Sequence, residues 1–230
     1  VLTTQEAKDG LSKAIEAASA VGELTPEVYK EQTESLNAAI KFGQESMDAA
    51  AALETKVTAH DAKLSSTGEA SYGDYSDTEG YEELYDLTIE VFDKIDGEGI
   101  FATLDEINDY SLRLDKAYSK MLSGHIDFTT ASKEPVDATG LIVNPSFQTK
   151  TENDKGEIVD AASADGWFVE SLKGGSGVKD AKIYEIFSDS SEVYQPLYNA
   201  PAGYYRVVMN GFYRAGGFID AGVARRDSAG

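Results

Sequence analysis

The sequence predicts a multidomain α plus β protein, with an N-terminal antiparallel helical bundle followed by an antiparallel β-sandwich or jelly roll. Three observations predict this order. The first part of the chain is rich in Ala, Leu and Glu, and its apolar residues recur at helical spacing. The second part is rich in Gly, Tyr, Phe and Val, in short runs separated by turn residues. The composition changes near residue 125, so we expect domains at 1–124 and 140–230, joined by a linker at 125–139.

The first two helices are predicted from their capping signals. Thr3 and Glu6 have capping-box spacing, at which side chains satisfy the free amide groups of a first turn. The apolar face of this helix is formed by Leu11, Ile15 and Ala18. The second helix begins at Thr25-Pro26, where the hydroxyl caps and proline takes the first helical position. Its apolar stripe has a spacing of seven and reaches residue 64: Leu36, Gly43, Ala50, Val57 and Leu64, with Ile40 and Met47 on flanking rows.

Two further helices follow a polar segment. Residues 65–80 have no apolar period, and we expect a mobile surface loop with exposed tyrosines. The third helix is indicated by Leu84, Leu87, Val91, Phe92 and Ile95. The fourth begins at a second capping box, Thr103 with Glu106, and ends at Gly124. Four amphipathic helices with short connections are typical of an antiparallel bundle.

The remainder of the chain has the pattern of short strands. The predicted strands are Leu141–Val143, Trp167–Val169, Ile183–Phe187, Val193–Gln195 and Tyr204–Arg214. In the last of these, Tyr205, Val207 and Met209 alternate with other residues, as expected for a strand with one buried face. Gly211 indicates a bulge at which the alternation changes phase. Several short strands without intervening helices favour a sandwich or jelly roll.

The charge of the chain restricts its partners. There are 41 Asp and Glu residues against 20 Lys and Arg, which gives a net charge of −21. This charge repels phosphate backbones and anionic lipid, so we expect neither nucleic-acid binding nor direct membrane insertion. The chain contains no cysteine, which excludes disulfides and thiol chemistry.

Several motifs in the second part resemble a known family. They are Leu141–Phe147, Gly166-Trp167, Tyr194–Leu197, Pro201–Arg206 and Gly211–Arg214. In this order they resemble the galactose-binding-like β-sandwich modules of surface and polysaccharide-processing proteins of gut commensal bacteria. In the first part, Leu36–Ile40 resembles the FIVAR-type helical repeats that lie beside such modules in large exported proteins.

The resemblance implies a carbohydrate-binding role at the surface of a gut bacterium. It places the protein outside the cell, as a secreted or cell-surface protein whose export signal lies outside this chain. Modules of this family continue for several strands after the final motif, so we expect this sandwich to be incomplete. They often carry a structural calcium ion, although nothing in the sequence identifies its ligands, and no other cofactor is expected.

Candidate glycan-binding residues are the tyrosines and polar residues of the predicted strands. Strand tyrosines present an apolar ring and a hydroxyl, and Arg206 and Asn210 share a strand face from which they can hydrogen-bond vicinal hydroxyls. The predicted site residues are Tyr184, Tyr198, Arg206, Asn210 and Tyr213. The only tryptophan, Trp167, is predicted to anchor the core.

No catalytic or metal-binding residue can be chosen from the sequence. His60 and His125 lack zinc-site spacing, and residues 93–104 fail the EF-hand pattern because Leu104 stands where a bidentate Glu is needed. We therefore predict a non-enzymatic cell-surface module that binds glycan, with the bundle as spacer or docking domain. The alternatives are a structural or adhesive surface protein that binds a protein partner through the bundle, and an accessory region of a larger polysaccharide-degrading enzyme.

Overall fold

The computed structural model describes residues 3–23, 25–68, 71–97, 99–172, 174–179, 182–187, 190–214 and 224–226. The chain divides into two units, residues 1–199 and residues 200–230. The described α-helices are α1 (Gln5–Ser19), α2 (Pro26–Leu64), α3 (Glu79–Gly97) and α4 (Leu104–Ser123). Short strands follow α4, so the coarse prediction of a mixed helix and strand protein is confirmed.

All four described helices begin after a threonine whose hydroxyl accepts a hydrogen bond from an amide of the first turn; before α3 this is Thr78, which accepts from the Tyr81 amide at 3.3 Å. Thr25 accepts a hydrogen bond from the Val28 amide before α2, and Thr103 accepts one from the Glu106 amide before α4, as predicted. The cap of α1 is Thr4, one residue later than predicted, and it accepts from the Ala7 amide at 3.1 Å. Each cap satisfies an amide that has no carbonyl partner within its helix.

The long helix α2 organises the helical region. Its first half packs on α1, and its second half packs on α3 and α4, which also pack on each other. The stripe predicted on α2 is buried at Ala50, Val57 and Leu64, because one side of the helix faces a neighbour along most of its length. The fully buried apolar core includes Leu53, Val57, Leu84, Val91, Phe101, Ile107, Leu114 and Met121.

A short parallel strand pair joins the beginning of the helical region to the connection between α3 and α4. Strand β1 (Thr3–Thr4) pairs with β2 (Ile100–Phe101), which lies between α3 and α4. Thr4 is fully buried, and its hydroxyl donates to the Ser46 hydroxyl of α2 at 3.3 Å. The same residue therefore caps α1, extends a strand pair and contacts α2.

The segment between α2 and α3 differs from the prediction of a mobile loop with exposed tyrosines. Tyr72 is buried there, with its ring 5.3 Å from that of Tyr118 and 6.0 Å from that of His60. A short 3-10 helix, Gly73–Tyr75, follows it. The aromatic ring supplies the apolar burial that the rest of this polar segment lacks, and this is why the backbone folds onto the helices.

The strands of the second part form separate antiparallel pairs. Their bounds are β3 (Gln148–Glu152), β4 (Ile158–Ala162), β5 (Phe168–Ser171), β6 (Gly177–Lys179), β7 (Ile183–Glu185), β8 (Ser191–Tyr194), β9 (Phe212–Arg214) and β10 (Ala224–Arg226). The pairs are β3 with β4, β5 with β8, β6 with β7, and β9 with β10. The hairpin of β3 and β4 was not predicted, because β3 is polar and β4, although mostly apolar, lacks an alternation of apolar and polar residues.

The predicted strand Leu141–Val143 is wrong, and the predicted strand Tyr204–Arg214 is wrong in part. Leu141 is buried, but it ends a 3-10 helix, Thr139–Leu141, instead of beginning a strand. In the unit of residues 200–230, residues 204–211 are not in a strand, and only Phe212–Arg214 pairs, with β10. Tyr205, Val207 and Met209 are exposed, and so are the residues between them, so the expected alternation of buried and exposed side chains is absent from this described segment.

Candidate functional site

Three of the motifs that carry the family resemblance meet in one hydrogen-bonded cluster. The side-chain amide of Asn144 donates to the backbone carbonyls of Ser163 and Asp165. The backbone carbonyl of Asn144 accepts a hydrogen bond from Nε1 of Trp167 at 2.9 Å. Gln195 accepts from the Val143 amide at 2.7 Å and donates to the Val143 carbonyl at 3.0 Å. These side chains take the place of backbone pairing between segments that are far apart in sequence.

The same cluster positions the strands β5 and β8. Gln195 directly follows β8 and donates to the carbonyl of Gly166 at 2.6 Å, close to the start of β5. Gly166 has φ of +80°, and a Cβ atom there would overlap the Val143 side chain, so only glycine fits this turn. The ladder of β5 and β8 is thus held in place at the end where Phe168 pairs with Tyr194.

One face of this ladder combines two aromatic rings with two carboxylates. Phe168 lies opposite Tyr194, and Glu170 lies opposite Glu192. Because side chains alternate along a strand, these four residues share a face, and all four are exposed. The rings of Phe168 and Tyr194 have centroids 4.5 Å apart and planes inclined by 31°, with side chains that are 44% and 51% exposed. We call these four residues the aromatic–acidic face.

The chemistry of the aromatic–acidic face suits a polyhydroxylated ligand. Adjacent exposed rings offer an apolar surface on which the C–H face of a sugar ring can stack. Carboxylates beside them accept hydrogen bonds from hydroxyl groups. Like charges directly opposite each other on antiparallel strands destabilise a sheet. The pairing of Glu170 with Glu192 therefore opposes stability, which favours a role outside folding.

The predicted tyrosine sites in residues 1–199 lie elsewhere. Tyr184 is in β7, half-buried, with its ring 6.0 Å from that of Phe147. Its hydroxyl oxygen is buried and has no hydrogen-bond partner within the described residues. Burial, with the negative charge of Asp115, raises the pKa of Tyr198. The neighbouring Asn199 donates to the Lys116 carbonyl of α4 at 3.3 Å, so this segment lies against the helical region.

The other predicted site residues belong to residues 200–230. Arg206 and Asn210 are exposed and lie outside any strand, and Tyr213 is in β9, with a side chain outside the described part of the chain. The five predicted residues are thus divided between the two units and do not form one site within either. Their role in binding stays a prediction.

The residues of the aromatic–acidic face were largely missed by the sequence reasoning. Tyr194 belongs to the strand tyrosines that the sequence indicates as a class, but no sequence signal used above indicates Phe168, Glu170 or Glu192. The signal was present in the alternation of the segments Phe168–Ser171 and Ser191–Tyr194, in which aromatic and acidic residues are two apart. Only the pairing register brings the two segments together, and that register depends on the Gln195 cluster. Trp167, predicted as a core anchor, is half-buried, and its indole N–H donates a hydrogen bond to the backbone carbonyl of Asn144.

A second cluster of titratable residues lies inside the helical region. Nδ1 of His60 lies 3.0 Å from the hydroxyl of buried Tyr72, and the His60 ring lies 5.0 Å from that of Tyr118. Burial lowers the pKa of His60 to about 4, and the ammonium groups of Lys63 and Lys56 add to the effect. Burial also raises the pKa of Tyr72. Both side chains are therefore neutral near pH 7 and out of reach of a large substrate.

This cluster makes stability depend on pH. Unfolded His60 gains a proton below about pH 6.5, whereas folded His60 remains neutral until about pH 4, so its contribution to stability is lost as the pH falls. We expect His60 to lower the free energy of unfolding by about 2 kcal/mol between pH 7 and pH 5. Urea denaturation of His60→Gln should show a correspondingly smaller fall. The exposed His125→Gln is the control, and an unchanged pH dependence in His60→Gln would contradict the assignment.

Within the described residues, no three His, Asp or Glu side chains come together as a set that could hold a metal ion. The structural calcium ion that the family resemblance implies stays a prediction. None of the described helices is long and apolar enough to cross a membrane.

Comparison of the chain with protein-family models, with curated proteins and with solved structures finds no match in any of the three. The hydrogen-bonded cluster at Asn144 and Gln195 holds a face on which two rings and two carboxylates are exposed together.

Proposed function

We propose that the protein is a non-catalytic carbohydrate-binding module of a bacterial cell surface, and that the aromatic–acidic face contacts the glycan. The observation that carries this proposal is the exposed pair of rings, Phe168 and Tyr194, directly beside the carboxylates Glu170 and Glu192. The resemblance of the surrounding motifs to galactose-binding-like modules supports the same ligand class. The helical region acts in this proposal as a bundle-type spacer, and the strand pairs belong to a sandwich.

The expected mode of binding is stacking combined with hydrogen bonds. A sugar ring stacks on the outward-facing side of Phe168 or of Tyr194, and its hydroxyl groups donate to Glu170 and Glu192. The excess of negative charge disfavours acidic glycans, because like charges repel at close range. The proposal is therefore for neutral or basic polysaccharide.

Removal of either ring should weaken glycan binding. We expect Phe168→Ala and Tyr194→Ala each to raise the dissociation constant about five- to thirtyfold, since a stacked ring contributes about 1–2 kcal/mol. Glu170→Gln and Glu192→Gln, which keep the shape but remove the charge, should weaken binding less. Binding is first found on an array of neutral plant and host glycans and is then measured by calorimetry. The single Trp167 beside Phe168 supplies a fluorescence signal for the same titration.

The matched control is Tyr85→Ala, which removes an equally exposed aromatic side chain from α3, and it should leave affinity unchanged. Two results would count against the proposal. One is the absence of binding across the array by the folded chain. The other is binding that survives the double substitution of Phe168 and Tyr194.

A further inference from the structure

The first helix and the beginning of the second form a two-helix hairpin. A short connection joins α1 to α2, and the buried Thr4 at the start of α1 bonds to Ser46, so the two helices run antiparallel. On α1 and on the first part of α2, nearly all buried and half-buried residues lie on one row of each helix. The rows are Ala7, Leu11, Ala14 and Ala18 of α1, and Val28, Gln32, Leu36, Ala39, Gly43, Ser46 and Ala50 of α2.

Residues one position after these two rows lie on a single side of the hairpin. Each residue is turned about 100° from the one before it, and antiparallel helices turn in opposite senses when viewed from one end. The rotations therefore bring both flanking rows to the same side. We call it the low-charge face, and its residues are Lys8, Ser12, Ile15 and Ser19 of α1, and Tyr29, Thr33, Asn37, Ile40, Gln44 and Met47 of α2.

The low-charge face is exposed and carries large apolar side chains. All of its residues are exposed, including Tyr29 at 66%, Ile40 at 57% and Ile15 at 50%. Its one charged side chain is Lys8. The sequence predicts that Ile15 and Ile40 lie on or beside the apolar rows. The packing of the hairpin shows instead that both side chains lie outside the contact between α1 and α2 and are exposed.

The opposite side of the hairpin has a different character. Residues one position before the buried rows include the carboxylates Glu6, Glu27, Glu31 and Glu45, against the single cation Lys13. In a chain of net charge −21, contact between two acidic surfaces is unfavourable. The low-charge face is a surface of this hairpin on which two copies of the chain can meet without opposing carboxylates.

We propose that the low-charge face binds the same face of a second copy of this chain. Two hairpins placed face to face form a four-helix arrangement related by a two-fold axis. The residues of the low-charge face on α2 are spaced alternately four and three apart, which is the spacing of a coiled-coil contact row. They are Thr33, Asn37, Ile40, Gln44 and Met47. Three residues of this row, Thr33, Asn37 and Gln44, are polar, and polar residues in such a row select the register at some cost in stability.

Charge also selects the orientation of the two copies. Lys8 lies at one end of the low-charge face, and Glu23 lies in the connection at the other end. The antiparallel two-fold arrangement brings Lys8 of each copy towards Glu23 of the other. The parallel arrangement would bring the two Lys8 side chains together and the two Glu23 side chains together, which is less favourable.

Sedimentation velocity of the full chain over a range of concentrations tests the proposal. We expect a dimer, and we expect Ile40→Glu to raise its dissociation constant at least about tenfold, because each dimer would then bury two carboxylates. Ala38→Glu adds the same charge at an exposed position of α2 on the opposite side, and it should leave the dimer intact. Circular dichroism confirms that both variants keep their helices.

Cross-linking supplies a second measurement, since the chain has no cysteine of its own. Asn37→Cys should give a disulfide-linked dimer on mild oxidation, and Ala38→Cys should not. A chain that is monomeric at every concentration would overturn the proposal. Equal effects of Ile40→Glu and Ala38→Glu would overturn it as well, and would place any dimer contact on another surface.

Discussion

The substitution Gly80→Ala is expected to lower the free energy of unfolding by about 3 kcal/mol. Gly80 is buried near the start of α3, where that helix meets the end of α4. An added Cβ atom would overlap backbone atoms of Met121 and Lys120. A side chain could turn away from such a clash, but a helix backbone cannot, so α3 and α4 would have to separate. Loss of the close approach would also weaken packing around Met121, which is fully buried.

The measurement is urea denaturation followed by circular dichroism. Gly43→Ala in α2 is the matched control, because a Cβ atom there would meet nothing within 4 Å. Alanine favours the helix over glycine by about 0.5–1 kcal/mol, so the control should be more stable than the natural chain. If both variants were stabilised, the close contact of α3 with α4 would be refuted.

The second large effect is expected from Phe101→Ala, at about 3–5 kcal/mol. Phe101 is fully buried in β2, and its ring lies edge-on to that of Tyr110, with centroids 6.1 Å apart. Its removal leaves a cavity where β1, β2, α3 and α4 meet. The strand pair limits how far the surrounding backbone can close around it.

Thermal and urea denaturation of Phe101→Ala should both show the loss. The control is Phe187→Ala, which removes the same ring from an exposed position and should change stability by about 0.5 kcal/mol or less. A loss for Phe101→Ala no larger than that of the control would show that this position is not part of the core.

The helices were predictable because their signals are local. Thr25-Pro26 and Thr103 with Glu106 specify helix starts within four residues, and the structure begins α2 and α4 there. The spacing of apolar residues on α2 likewise identifies its buried row without knowledge of its neighbours. The error at Thr3 has a nonlocal cause. Thr3 pairs with Ile100, so the helix starts one residue later.

The features that were missed depend on partners that are distant in sequence. Tyr72 is buried because His60 and Tyr118 surround it, and nothing in the polar segment around Tyr72 indicates this. The aromatic–acidic face depends on the register of two strands that are about twenty residues apart. An alternating apolar pattern, as in Tyr205, Val207 and Met209, indicates a strand only where another strand satisfies its backbone groups.

The pairing of Thr3 and Thr4 with Ile100 and Phe101 has a consequence for the order of folding. A ribosome must release the roughly 100 residues that separate these two segments before they can meet, and the loop they close is costly in chain entropy. The opening of this contact should release α1 before the rest of the helices come apart. Amide protons at the start of α1 should therefore exchange with solvent together with those of β2, as one cooperative unit.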